Sequence, residues 1–294
     1  MIASEISLSK LVIIESLDET EEKTGSALAA RLRAELRARG DAFPVEVRAC
    51  ESASDFRHEL GRLLQEAQGG HLPLVHIECH GHESDGLQFA NGSEMTWAEL
   101  AEFLLRINIA TEWNLLVSIS ACFGAYFLSM VNASKPAPCW GLVAPQREVR
   151  FWDLEDGFTQ FYKVLFQSHD VDTAMTAVRR SSQTADWILE FSERWFVRLL
   201  LTYLNTKCRT EDLPSRVADL RADLEAASVP WLSTREIEMQ LKGQNTRALA
   251  RYFDVFFSVE QLPANAQRFR PARDAAVKEI NALAASGEYN VGYI

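Results

Sequence analysis

Two short segments of this 294-residue sequence carry side chains suited to chemistry: Cys79-His80-Gly81-His82-Glu83-Ser84-Asp85 and Ser120-Ala121-Cys122-Phe123-Gly124. An imidazole beside a thiol can take its proton, and the thiolate that results is a strong nucleophile. Glycines next to both groups let the backbone come close to a substrate carbonyl and present N–H groups to a developing oxyanion. His80 paired with Cys122 therefore points to attack on a carbonyl carbon. His80 and His82 both fall in a segment expected to be loop. His80 leaves its strand first and directly precedes Gly81, which favours it as the acting histidine.

The other candidate groups read as structural. Cys50, Cys79 and Cys139 lie within or at the end of apolar runs, where a cysteine is a small core hydrophobe. Cys208 follows a leucine-rich helix. Five cysteines, an odd number without Cys-x-x-Cys or framework spacing, indicate free thiols. His76 sits mid-strand, and His58 and His169 fall on helices or their ends. A zinc site from Cys79, His80, His82 and Cys122 has suitable residue types, but adjacent side chains on extended backbone diverge. No phosphate-binding glycine loop is present and no Gly-x-Gly-x-x-Gly follows a strand, so no cofactor or metal is expected.

Both segments must be positioned by strands. Leu11–Ile14, Phe43–Cys50, Leu72–Cys79, Trp113–Ser120 and Cys139–Val143 are apolar runs of strand length. Helices are expected over about 19–39, from Ser52 or Ser54 to Gly69, from Thr96 (a capping box with Glu99) to 108, from near Cys122, and over about 155–167 and 171–181. A hairpin with an Asn91-Gly92 turn follows the first segment. This alternation predicts an α/β domain over residues 1–192, its mostly parallel sheet covered on both faces. In such sheets functional groups gather at the carboxyl ends of the strands, where both segments lie.

From residue 193 to 294 the pattern is helical only, with helices expected over 193–207, 212–227, 233–242, 246–257 and 271–285, and Pro214, Pro230, Pro263 and Pro271 between them. Trp195, Phe196, Leu199, Leu200 and Tyr203 make one apolar face, and Tyr252, Phe253, Phe256 and Phe257 another. The first is expected to pack on the α/β domain; either face suits ordinary core or a docking surface for a regulator, a substrate or a second copy. Charge changes at the same boundary. Residues 1–193 hold 29 acidic against 16 basic residues, whereas residues 194–294 hold 12 against 14. An acidic body argues against nucleic acid as a partner. No run approaches the about 20 apolar residues of a membrane span, and Met1–Glu5 lacks a signal pattern, so the expected location is the cytoplasm.

His80-Gly81, followed by Ala121-Cys122-x-Gly124 at the next strand exit, resembles the caspase-like cysteine peptidases. Their signature is Gln-Ala-Cys-[Arg/Gln/Gly]-Gly with a histidine about 50 residues upstream; here 42 residues separate His80 from Cys122. Ser120 stands where caspases have Gln, and Phe123 also departs. The hairpin with Gly86-Leu87 and Asn91-Gly92, then Thr96-Trp97 and Leu100, looks more like the bacterial CHAT branch. The resemblance covers roughly residues 8–190. It implies a three-layer caspase-like fold with a helical C-terminal extension. It implies a Cys122–His80 dyad cleaving peptide bonds of protein substrates, and an oxyanion hole from the Gly81 and Cys122 N–H groups. A substrate cleft lined by Ser120, Trp140 and Ala144 follows by the same resemblance.

Bacterial members are often held latent until a partner acts, so an activating protein or ligand is implied too. Ser120, small and neutral, supports neither acidic nor basic specificity, and the acidic domain shifts the expectation toward a basic or neutral cleavage site. Asp153–Asp156 either adds to that preference or starts a helix and meets its dipole. The alternatives are an inactive caspase-like interaction module and a non-peptidase binding domain.

Overall fold

The computed structural model describes residues 7–181, 186–227 and 232–294, so Met1–Glu5 and Pro230 lie outside the described residues. It separates into two compact units, one of residues 7–131 with Ala137–Ser192, the other of Asn132–Pro136 with Glu193–Ile294.

The first unit is α/β. In chain order it comprises β1 (Lys10–Glu15), α1 (Thr24–Ala38), β2 (Val45–Ala49), α2 (Ala53–Gln68), β3 (Pro73–Glu78), β4 (His80–His82), β5 (Gly86–Gln88), β6 (Glu94–Met95), α3 (Trp97–Ala110) and β7 (Leu116–Ser120). A 3-10 helix (Gly124–Met130), β8 (Gly141–Pro145), α4 (Phe151–Ser168), α5 (Val171–Ser181) and β9 (Trp187–Phe191) complete it. The sheet order is β2-β1-β3-β7-β8-β9, parallel except for β9, which runs antiparallel to β8. β1, β3, β7 and β8 are buried along their whole length, which requires helices on both faces and explains their unbroken apolar runs.

Local signals place the helix starts. Ser52 caps α2 reciprocally with Asp55, and Phe56, Leu60 and Leu63 face the core. Thr96 caps α3 by accepting from the Glu99 N–H, but the expected box is one-sided: the Glu99 carboxylate instead takes two bonds from Arg57 of α2, at 2.6 and 3.1 Å. α1 begins five residues later than expected from a start at Glu19. Asp18 accepts from the Thr20 N–H at 2.9 Å and hydroxyl at 2.7 Å, a local turn that competes with helix. Those bonds hold the Asp18 carboxyl below its usual range. β9 had no counterpart in the sequence reading. It packs Trp187 directly against Gly157 of α4, where an added Cβ would have no room.

A buried polar chain ties the strand ends to the helices. Glu15 and Glu78 are register partners at the ends of β1 and β3. The Ser26 N–H and hydroxyl in the first turn of α1 bind Glu15 at 2.9 and 2.7 Å, and the Thr24 hydroxyl binds Glu78 at 2.9 Å. A helix N-terminus favours carboxylates there. His76, fully buried, lies 2.9 Å from Glu78 through Nε2 and 2.9 Å from the Tyr162 hydroxyl through Nδ1. Every group is satisfied when Tyr162 donates to Nδ1 and Nε2–H donates to Glu78; burial keeps the Tyr162 phenol protonated well above its usual range. Tyr162→Phe removes that donor and is expected to destabilise the protein by about 1–3 kcal/mol, the cost of a buried polar atom left unpaired. Urea unfolding midpoints at constant m-value check this.

The second unit is helical: α6 (Ser192–Lys207), α7 (Leu213–Ala226), α8 (Thr234–Phe256), α9 (Asn265–Arg268) and α10 (Arg270–Ser286). The two helices expected over 233–242 and 246–257 are one, α8, which runs through Gly243. The two apolar faces meet each other: the Phe196 ring packs on Phe253, Phe256 and Phe257 at 5.3–5.7 Å between centroids, and Tyr203 packs on Tyr252 at 5.4 Å. Those rings therefore form this unit's own core. Among the described residues no helix is long and apolar enough to cross a membrane.

Candidate active site

β3 and β7 are adjacent, parallel and in register, with Glu78 opposite Ser120. His80 and Cys122 each stand two residues past that pair, so both exits leave the same sheet edge at the same level. At Gly81 the two backbones touch. A Cβ there would penetrate the Cys122 carbonyl oxygen and stand 3.0 Å from the Ala121 Cβ, so only glycine fits. The segment His80–His82 is not loop, as the sequence suggested, but the short strand β4. It pairs antiparallel with β5: His80 opposite Gln88, Gly81 opposite Leu87, His82 opposite Gly86. The hairpin expected after the histidines thus gains a third strand that fixes them.

Cys122 sits in a tight turn rather than at the start of an α-helix. Gly124 N–H bonds the Ala121 carbonyl at 3.1 Å, and Phe123 between them adopts a left-handed φ of 59°, the pattern of a type II turn. Gly124 is required because a Cβ would meet the Ile119 side chain at 2.8 Å. Phe123 stands where the peptidase signature allows Gly, and its ring packs on Tyr126 at 5.9 Å. The turn carries the Cys122 thiol, partly exposed, 3.7 Å from the Val149 carbonyl, and the Cys122 N–H donates to no protein group among the described residues.

The His80 ring is half exposed, and its Nε2 lies 2.9 Å from a Glu21 carboxylate oxygen. Thiol and imidazole therefore each face a different partner, rather than sharing a hydrogen bond. His82 is exposed at the far end of β4, where its carbonyl accepts from the Trp97 indole at 3.1 Å. Tyr126 donates to Glu83, which raises the Tyr126 phenol's affinity for its proton. Glu83 lies in the histidine segment and Tyr126 four residues past Cys122, but residue type alone assigns neither a role; Glu21 lies 59 residues before His80, and nothing in that spacing relates the two.

The three substrate-lining candidates are placed differently. Ser120 ends β7, buried, its hydroxyl without a hydrogen-bond partner among the described residues. Ala144 is buried within β8 opposite Ile188 of β9, and the loop after it reaches the site, since the Phe123 N–H bonds the Arg147 carbonyl at 3.2 Å. Trp140 is not brought to the site. It precedes β8, is buried against Phe191 at 4.7 Å, and is level with Leu115, about 16 Å down the strand direction from Ser120. The acidic segment Asp153–Asp156 belongs to α4, where Glu155 is buried in an ion pair with Arg31 of α1 at 2.9 Å. Among the described residues no three His, Cys, Asp or Glu side chains are placed to hold a metal ion.

All five thiols are free, and four are buried. Burial pushes Cys50 up to about 12 and Cys208 up to about 11, and raises Cys79 and Cys139 well above the usual thiol range. Titration with a thiol reagent at neutral pH is therefore expected to modify one cysteine, Cys122, in the folded protein and all five in denaturant; mass mapping of the modified peptides checks it.

The arrangement is thus an α/β protein with a six-stranded, mostly parallel sheet that presents a thiol, an imidazole and two glycines at neighbouring strand exits. No protein-family model matches the chain, and no curated protein is significantly similar to it.

Proposed function

We propose that the protein is a caspase-like cysteine endopeptidase with a helical C-terminal extension. The observation that carries this is the contact of Gly81 with the Cys122 backbone, which puts a histidine and a cysteine at equal height on adjacent strand exits. In the reaction His80 takes the Cys122 proton and the sulfur attacks the substrate carbonyl. The oxygen that becomes negative lies toward the backbone N–H groups of Gly81 and Cys122, the latter free to donate. As the C–N bond breaks, His80 returns the proton to the leaving amine. Water, deprotonated by His80, then hydrolyses the thioester. Ser120, small and neutral at the end of β7, suits a neutral scissile side chain. Five unpaired cysteines support a reducing, cytoplasmic location.

The separate partners of thiol and imidazole favour a second reading, an inactive interaction module. Under the peptidase reading the same separation is a latent state, closed by substrate, an activating protein or a ligand, since catalytic hydrogen bonds often align only in the complex. A peptidyl acyloxymethyl ketone library separates the two. Covalent labelling at Cys122 that depends on peptide sequence and is lost in His80→Ala supports the peptidase. Sequence-independent labelling at the rate of an ordinary thiol supports the module.

A further inference from the structure

We propose that Glu21 is the positioning residue of the site, orienting the His80 imidazole toward Cys122; this rests on the peptidase reading above. Its carboxylate oxygen lies 2.9 Å from His80 Nε2, and the two side chains keep 50% and 33% of their exposure. A pair this exposed adds little to stability, so its significance lies in geometry.

Glu21 is itself held. Its other oxygen accepts from the Asp18 N–H at 2.6 Å, and its own N–H bonds the Asp18 carbonyl at 3.0 Å. Lys23 clasps the same turn, donating to the Leu17 and Asp18 carbonyls. The turn spans the short link between the end of β1 and the start of α1, and both ends are anchored by the buried Glu15 and Glu78 contacts of Ser26 and Thr24. This hydrogen-bonded loop thus delivers one carboxylate oxygen to one imidazole nitrogen. A carboxylate accepts only, so Nε2 carries the hydrogen toward Glu21 and Nδ1 is left with its lone pair to take the thiol proton. Once His80 is protonated, the carboxylate stabilises the imidazolium, the role an acid plays behind a catalytic histidine. The late start of α1 serves the same geometry, because a helix from Glu19 would fix residue 21 in its first turn.

The test is the rate at which chloroacetamide alkylates Cys122 in the full chain at neutral pH, read by mass spectrometry, so it needs no substrate or activator. His80→Ala is expected to slow labelling about tenfold or more. Glu21→Gln, isosteric and uncharged, is expected to slow it about three- to tenfold, and Glu21→Asp to recover part of that loss. In the His80→Ala background Glu21→Gln is expected to have no further effect, because it acts through the imidazole. Equal slowing by Glu21→Gln in both backgrounds would overturn the proposal, as would wild-type labelling of Glu21→Gln beside a slowed His80→Ala. Wild-type labelling of His80→Ala would instead overturn the dyad itself. Thermal unfolding of each variant separates loss of fold from loss of positioning, and Glu21→Asp carries the test should Glu21→Gln not fold.

Discussion

Cys122→Ala is expected to lower cleavage of any peptide the wild type cuts by about 1,000-fold or more, because the alanine methyl offers no nucleophile to the substrate carbonyl. His80→Ala is expected to cost about 100- to 10,000-fold, the range of a lost acid–base group. The double variant should be no worse than Cys122→Ala alone, since the two groups act on one proton and one bond. Neither loss should come from unfolding. The Cys122 thiol is partly exposed and makes only a long contact to the Val149 carbonyl, and His80 is half exposed. Unfolding free energies within about 0.5 kcal/mol of wild type are therefore expected for both. Measured kcat/KM beside urea unfolding curves checks this, and a Cys122→Ala protein that cleaves at the wild-type rate would end the peptidase assignment.

The frame of this site was legible because fully buried parallel strands must be written as apolar runs. Leu11–Ile14 and Leu72–Cys79 are such runs, and the residues just beyond them are where a parallel sheet exposes its chemistry. The α/β character and the neighbouring exits of the His80 and Cys122 segments follow from that pattern, and the helical C-terminal portion from the helical period and prolines after residue 193. What was not legible depends on contacts between distant segments. β9 is short, antiparallel and defined by its pairing with β8, a relation that no local period encodes. Thr96 and Glu99 carry the letters of a capping box, but Arg57, 42 residues away, takes the carboxylate. Trp140 came with the family resemblance alone; it stands at the amino end of β8, and because β8 runs parallel to β7 that end is remote from the strand exits that carry His80 and Cys122. Glu21 was hidden by the same dependence on distant segments. Its proximity to His80 exists only once β1 and β3 are neighbours and the Asp18 turn has displaced the first turn of α1.

Gly81→Ala tests the close approach on which the site depends. The added methyl would sit against backbone, the Cys122 carbonyl oxygen, well inside contact distance, with the Ala121 Cβ also at 3.0 Å. No side-chain rotation relieves that overlap, so β4 must move away from the Cys122 turn. A shift of about 1 Å at reacting groups costs on the order of 100-fold in rate. Two components move together here, the imidazole on His80 and the Gly81 N–H offered to the oxyanion. A fall in kcat of about 100-fold or more is therefore expected, with overpacking costing about 1–3 kcal/mol of stability. Gly61→Ala is the matched control. Gly61 lies inside α2, has ordinary helical backbone and has nothing within 4 Å of an added Cβ, so alanine should raise stability by about 0.5–1 kcal/mol and leave cleavage unchanged. Chloroacetamide labelling of Cys122 in Gly81→Ala divides the loss further. Labelling at the wild-type rate beside a collapsed kcat would assign the loss to the oxyanion N–H, whereas slowed labelling would assign it to separation of His80 from the thiol. Cleavage by Gly81→Ala within a few-fold of wild type would mean that the contact between the two strand exits packs the sheet edge and takes no part in catalysis.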